Sequence, residues 1–256
     1  MILNKIITYK KKEVKKKKKE LPLTKIKSNL KESNRDFKLS ISKGFNLIAE
    51  IKKGSPSEGI INRDFNLERI SRIYNNNKYV KAISVLTDKK FFFMHSSFLS
   101  IVRTLTSKPI LRKDFIIDEY QVYETRYLGG DAVLLIARLL SIGEMNRFIS
   151  IARRYSMDCL VEVHSLEELE KVLKTKAQII GINNRNLDTL KIDLGITNRL
   201  LDYIPEGKIV IAESGYNTSK DISRIRDKVN GVLIGTSFLK SKDINKKINS
   251  IMQYKR

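Results

Sequence analysis

The sequence predicts an α/β fold, a single (β/α)8 TIM barrel preceded by an N-terminal helical extension. Three observations carry that expectation. Eight short apolar runs rich in β-branched residues recur after residue 44, amphipathic segments separate them, and 256 residues, 41% of them hydrophobic, suffice for one large core. Such alternation describes a parallel sheet covered by helices, and eight units suit a closed barrel of about 250 residues better than a six-stranded doubly wound sheet. No GxGxxG follows the first run, which also counts against a dinucleotide-binding fold.

Taken in order, residues 1–44 are expected to form a basic helical extension within the same domain, and residues 45–256 the catalytic barrel. Leu3, Ile6, Ile7 and Val14 have the spacing of a first helix, and a second amphipathic piece spans Leu30 to Ile41. The barrel then opens with FNLIAEI (45–51), followed by the helical LERISRIY. VKAISVL (80–86) and PILRKDF (109–115) come next, with YQVYETRYL behind them. DAVLLIA (131–137) precedes IGEMNRFISIARRYS, and DCLVEV (158–163) precedes SLEELEKVL. QIIGIN (178–183), KIVIAES (208–214) with KDISRIRDKV after it, and GVLIGT (231–236) complete the eight.

Bulk properties narrow the function. No run approaches the ~20 apolar residues of a membrane span, and the first residues place apolar before basic, the reverse of a secretory signal. The expected location is cytoplasmic, without membrane contact. One cysteine, Cys159, excludes an internal disulfide, and with only His95 and His164 beside it an ordinary zinc site lacks ligands. Half of the net charge of +22 sits in residues 1–44, which hold 15 Lys+Arg against 4 Asp+Glu. KKKEVKKKKKE carries no interleaved aromatics to stack on bases, so Lys15 to Lys19 read as a solvated face remote from the chemistry, and no specific nucleic-acid partner is expected.

The apolar runs end in residues that a buried strand normally excludes. Glu50 and Lys52 close the first, Lys113 and Asp114 the third, Glu162 the fifth, Asn183, Asn184 and Arg185 the sixth, Glu213 and Ser214 the seventh. Each alone is as readily a solvated or ion-paired residue. Together they occupy the carboxyl ends of strands, where a barrel builds its active site. Crowded ionisable groups shift one another's pKa values, and a lysine in a basic, partly desolvated mouth is expected to fall toward neutrality and serve as a general acid. The turns ESGYNT and IGTS add Gly215, Gly235, Ser214 and Thr236 after strands seven and eight, a common phosphate site in barrels, although Gly215 and Gly235 could equally be plain turn residues.

The chain resembles the indole-3-glycerol phosphate synthase family over nearly its whole length. The segments that carry the likeness are IAEIKKGSPSEGII, SVLTDKKFF, PILRKDFIIDEYQVYETRYLGGDAVLLIA, LVEVHSLEEL, IIGINNRNLDTLKIDL, IAESGYNT and GVLIGTSFL, in family order. The resemblance implies a cofactor-free, metal-free lyase of tryptophan biosynthesis that closes the indole ring of 1-(2-carboxyphenylamino)-1-deoxyribulose 5-phosphate, releasing carbon dioxide and then water. By motif it makes Lys113 the principal general acid, Glu162 the acid or base of the dehydration, and Glu50 with Lys52 a companion pair. It assigns Asn183, Arg185 and Glu213 to orienting substrate and intermediates. Ser55, Gly215, Gly235 and Thr236, with Ser214, would hold the phosphate, while Phe92, Phe115 and Leu134 would face the anthranilate ring. The chain departs from the family's Phe-x-Gly-Ser after the second strand, with Phe92-Phe93-Met94-His95 there.

Two other readings stay open. A barrel of the phosphoribosylanthranilate isomerase type would need a Cys and an Asp as acid and base, where Glu50 and Glu162 stand. A basic barrel that binds nucleic acid without catalysis would be retained on DNA in a salt-sensitive way. The expected partner is a small anionic phosphate substrate, and the expected state a monomer open to contacts with enzymes of the same pathway.

Overall fold

The computed structural model describes residues 2–253; residue 1 and residues 254–256, the outer ends of the two expected segments, lie outside it. Eight parallel strands close into a barrel: β1 (Asn46–Ile51), β2 (Val80–Leu86), β3 (Ile110–Lys113), β4 (Ala132–Ile136), β5 (Asp158–Val163), β6 (Ile179–Asn183), β7 (Ile209–Glu213) and β8 (Gly231–Ile234). Closure comes from β1 pairing with β8, Asn46 opposite Gly231 through Ala49 opposite Ile234. All eight expected runs are strands, trimmed by up to three residues where the chain turns out of the sheet.

Strand parity explains where the polar residues go. Side chains alternate across a strand, so a residue two positions beyond an interior one also faces inward. Ile48, Leu111, Leu160, Ile211 and Leu233 belong to the interior apolar cluster, and two residues on stand Glu50, Lys113, Glu162, Glu213 and Gly235. The intervening Ala49, Val161, Ala212 and Ile234 pack outward with the helices.

Both barrel ends are covered by residues before β1. Helix α1 (Ile2–Glu20) lays Leu3 and Ile6 against the interior cluster at the carboxyl end. After a five-residue helix α2 (Leu23–Lys27), helix α3 (Phe37–Ser42) buries Phe37 and Ile41 in the same interior cluster, while the Lys38 amide donates to Asp158 at the start of β5. The expected helix from Leu30 to Ile41 is thus corrected to α3 alone. Asp36 accepts from the Leu39 amide at 2.7 Å and starts the helix there, since a short carboxylate in extended backbone satisfies a free N–H that an upstream turn would hide. KDISRIRDKV is likewise helical only over Ser219–Ser223, continuing as turns.

Candidate active site

A cavity of about 300 Å³ opens at the carboxyl ends of the strands. Glu50, Lys52, Ser55, Phe92, Lys113, Phe115, Leu134, Glu162, Asn183, Arg185, Ser214, Gly215, Gly235 and Thr236 all line it. Glu213 does not: it is fully buried and meets the cavity through Lys113, to which its Oε2 accepts at 2.7 Å. Its other oxygen has no hydrogen-bond partner. Gly181 makes room for that oxygen, since a Cβ there would collide with it.

Lys113 Nζ also lies 3.3 Å from Glu50 Oε2, and Glu50 Oε1 pairs with Lys52 at 2.6 Å. The mouth therefore holds carboxylates around its lysine, which overturns the expectation of a lowered pKa. Burial alone would depress the Lys113 ammonium, but Glu213, Glu50 and Glu162 outweigh it and hold it well above the ordinary range. Glu50 shows the converse: burial would raise it, yet Lys52 and Lys113 bring it down to about 2. Burial pushes Glu213 up to about 7, with Lys113 opposing and Glu162 reinforcing. Glu162 is raised by burial too, against Lys113 and a hydrogen bond from Asn183.

One wall is aromatic and apolar. Asp88 caps the short helix Lys89–Phe92 through the Phe91 amide at 2.7 Å, and Phe92 at its end meets Phe115 with ring centroids 6.2 Å apart. The left-handed residue of the following turn is Phe93, φ 57°, so Met94 needs no glycine-like backbone and is buried. Opposite, Ser214 (φ 65°) and Gly215 (φ 92°) form a left-handed turn, and Gly235 leads into a short helix, Thr236–Leu239. Gly235 is required by close packing, because a Cβ there would lie 2.5 Å from Glu50 Oε1.

Sequence reasoning missed three things. Asn184 does not face the cavity but bolts the β6 and β7 turns together, donating to the Ser214 carbonyl and the Tyr216 hydroxyl at 3.1 Å each and accepting from Thr197. Ile2, Leu3 and Ile6 of α1 join the wall, and their helical spacing was the available signal. Lys17, expected on a solvated face, pairs with Glu124 at 3.0 Å, and Lys18 pairs with Asp118 at 2.7 Å. Among the described residues no group of three or more His, Cys, Asp and Glu side chains is arranged to hold a metal. Cys159 is buried in the outer layer, remote from acid–base work at the mouth.

A family model described as indole-3-glycerol phosphate synthase matches residues 3–251. The chain belongs to the indole-3-glycerol phosphate synthase family. The synthase of Caldanaerobacter subterraneus subsp. tengcongensis is 48% identical over 242 residues, 94% of each chain. That of Alkaliphilus metalliredigens is 44% identical over 256 residues, 98% of each. At 11–15% identity other solved structures share the fold alone. A 3-hexulose-6-phosphate synthase from Salmonella typhimurium has a TM-score of 0.62 at 11% identity, covering 81% of this chain and 96% of that one. A thiamine phosphate pyrophosphorylase from Pyrococcus furiosus has 0.59 at 15%, covering 83% and 95%.

Proposed function

We propose that the chain converts 1-(2-carboxyphenylamino)-1-deoxyribulose 5-phosphate to indole-3-glycerol phosphate, the decarboxylating ring closure of tryptophan biosynthesis. Family membership supports the reaction. The observation that carries its assignment to this site is the Lys113 ammonium held between Glu213 and Glu50, with an aromatic wall on one side and the glycine turns on the other.

The ring carbon bearing the carboxylate attacks the ribulose carbonyl, and Lys113 gives its proton to that oxygen. A lysine with a raised pKa can still do this, because the alkoxide forming beside it is more basic than an amine. Loss of carbon dioxide restores the aromatic ring. The new hydroxyl then takes a proton from an acid and leaves as water, pushed out by the ring nitrogen's electron pair, and a base removes the proton from the carbon next to nitrogen to form the indole double bond. Glu162, its pKa raised by burial, serves as acid or base for this dehydration, and Glu213, near neutrality and bonded to Lys113, can return its proton. Glu50 and Lys52 form the companion pair. Asn183 orients Glu162, and Arg185, whose guanidinium donates to the Leu190 carbonyl at 2.9 Å, steadies the β6 turn beside the substrate. Phe92, Phe115 and Leu134 take the anthranilate ring. Ser55, Ser214, Gly215, Gly235 and Thr236 take the phosphate through hydroxyls and close backbone amides.

The same reading makes residues 1–44 part of one domain with the barrel, supported by Leu3, Ile6, Phe37 and Ile41 in the interior cluster. It takes the enzyme as a cytoplasmic monomer without a specific nucleic-acid partner; no helix of the described residues is long and apolar enough to cross a membrane. Mixing purified protein with the carboxyphenylamino substrate and following indole fluorescence tests the reaction. Turnover is expected without added metal, and a folded protein that produces no indole would sink the proposal.

A further inference from the structure

A lysine sits where a lysine is rarely found, in the middle of α1 and almost completely buried. Lys10 is 1% exposed, and its ammonium lies 2.9 Å from Asp88, 2.9 Å from Asp114 and 2.6 Å from Glu13. No other charge of the basic N-terminal run is so placed, and the reaction as derived above does not use it.

Its two deep partners each govern a segment of the active site. Asp88 caps the helix Lys89–Phe92 with one carboxylate oxygen, and the Asp88 carbonyl accepts from the Met94 amide, so this residue closes both ends of the turn that carries Phe92. Asp114 stands between Lys113 and Phe115. Its Oδ1 accepts from the Phe115 amide at 2.8 Å, and its Oδ2 accepts from Thr87 at 2.6 Å and Arg112 at 3.0 Å. The cation on α1 thus ties together the turns after β2 and β3, whose carboxylates would otherwise face each other buried and repelling. From these contacts we propose that Lys10 is a positioning residue for ring closure: through Asp88 and Asp114 it sets where Phe92, Lys113 and Phe115 stand relative to one another. The inference rests on the roles given to those three residues above.

A residue that merely stabilised the fold would change the amount of folded enzyme and leave its kinetic constants alone. A positioning residue changes the constants. Lys10→Met, at a temperature where it remains folded by circular dichroism, should show kcat/KM lowered about 10²-fold per folded molecule, since small misplacements of reacting groups cost that much. Competitive inhibition by inorganic phosphate should fall far less, because among the described residues no hydrogen bond or ion pair joins Asp88 or Asp114 to Ser214, Gly215, Gly235 or Thr236. Of the residues assigned to the phosphate only Ser55, beside the Gly54 that packs on Phe93, adjoins the affected turn. Wild-type kcat and KM in the folded variant would overturn the proposal, as would an equal loss of phosphate inhibition, which signals general collapse. Should Lys10→Met not fold, Asp88→Asn keeps an oxygen for the Phe91 cap and puts an NH2, which cannot accept, in place of the oxygen that faces Lys10, so the tie to α1 is lost. It should raise KM about tenfold or less by the same displacement argument, and a wild-type KM there would also overturn the proposal. A wild type without turnover would defeat the reaction itself, and Lys10 with it. Normal turnover in wild type and variants alike defeats Lys10 alone.

Discussion

Two clusters of charge lie back to back across the end of β3, and they are built to opposite rules. On the outer side, Asp88, Asp114, Glu124 and Glu13 each have a cationic nitrogen of Lys10, Arg112 or Lys17 within 3.0 Å. Arg112 reaches Glu124 at 2.8 Å as well as Asp114, so the cluster is continuous from α1 to the helix Glu119–Tyr127. On the inner side, among the described residues, Glu162 makes no ion pair and one Glu213 oxygen meets no cationic nitrogen, while Glu50 between Lys52 and Lys113 is paired at both oxygens. The outer carboxyl Asp114 is held well below its usual range once Lys10 and Arg112 overcome burial, whereas inner Glu213 and Glu162 are pushed upward. Complete pairing freezes protonation, and incomplete pairing leaves protons free to move. The first suits a brace and the second suits acid–base chemistry.

The strongest way to break this contrast is to remove the inner cation. Lys113→Met keeps side-chain length and loses the proton, so kcat should fall by about 10² to 10⁴ while folding persists. Stability should drop by at most about 3–5 kcal/mol, the range for breaking a buried pair, because Glu213 and Glu162 can take up protons instead. Indole fluorescence and denaturant unfolding measure both, and near-normal turnover in the folded variant would take Lys113 out of the acid's role.

A subtler effect sharpens the comparison through pH. The folded protein holds the Glu213 proton more tightly than the unfolded chain, 4.5 rising to about 7, so this carboxyl's contribution to stability is present below 4.5 and lost as pH rises toward 7. Glu50 runs the other way, its contribution present above 4.5 and lost as pH falls through about 2. In Glu213→Gln, which mimics the protonated form, the melting temperature should gain on wild type between pH 4.5 and 7 and then run parallel to it. A constant gap across that window would mean that Glu213 titrates as an ordinary surface carboxyl.

The smallest effect is expected where charge has no buried partner. Lys15, Lys16 and Lys19 are exposed, unlike Lys10 and Lys17 on the same helix. Changing the three to Gln should leave kcat intact. It should lower kcat/KM by about twofold or less, and only at low salt, because exposed charges are screened within ~8 Å at physiological ionic strength. A collapse of kcat at both salt concentrations would show that the exposed face of α1 joins the machinery.

Legibility followed the range of the interactions involved. Near-continuous apolar runs depend on neighbours along the chain, so the eight strands, their order and the strand ends that carry Glu50, Lys113, Glu162 and Glu213 could be read from residues alone. The motifs around Lys113 and Asn183 gave the family in the same way. Three-dimensional neighbours were not legible. Lys10 looked like one lysine among many because nothing local marks it, and its partners lie 78 and 104 positions away, at Asp88 and Asp114. The direction of the Lys113 shift was misread for the same reason: its environment is set by β1, β5 and β7, whose carboxylates approach only when the barrel closes. Sequence by itself determined which polar residues stand at the carboxyl ends of the strands, since the apolar runs that mark those ends are set locally. Only the tertiary structure decided which charges meet, because Coulomb interactions depend on separations through space that chain order does not encode.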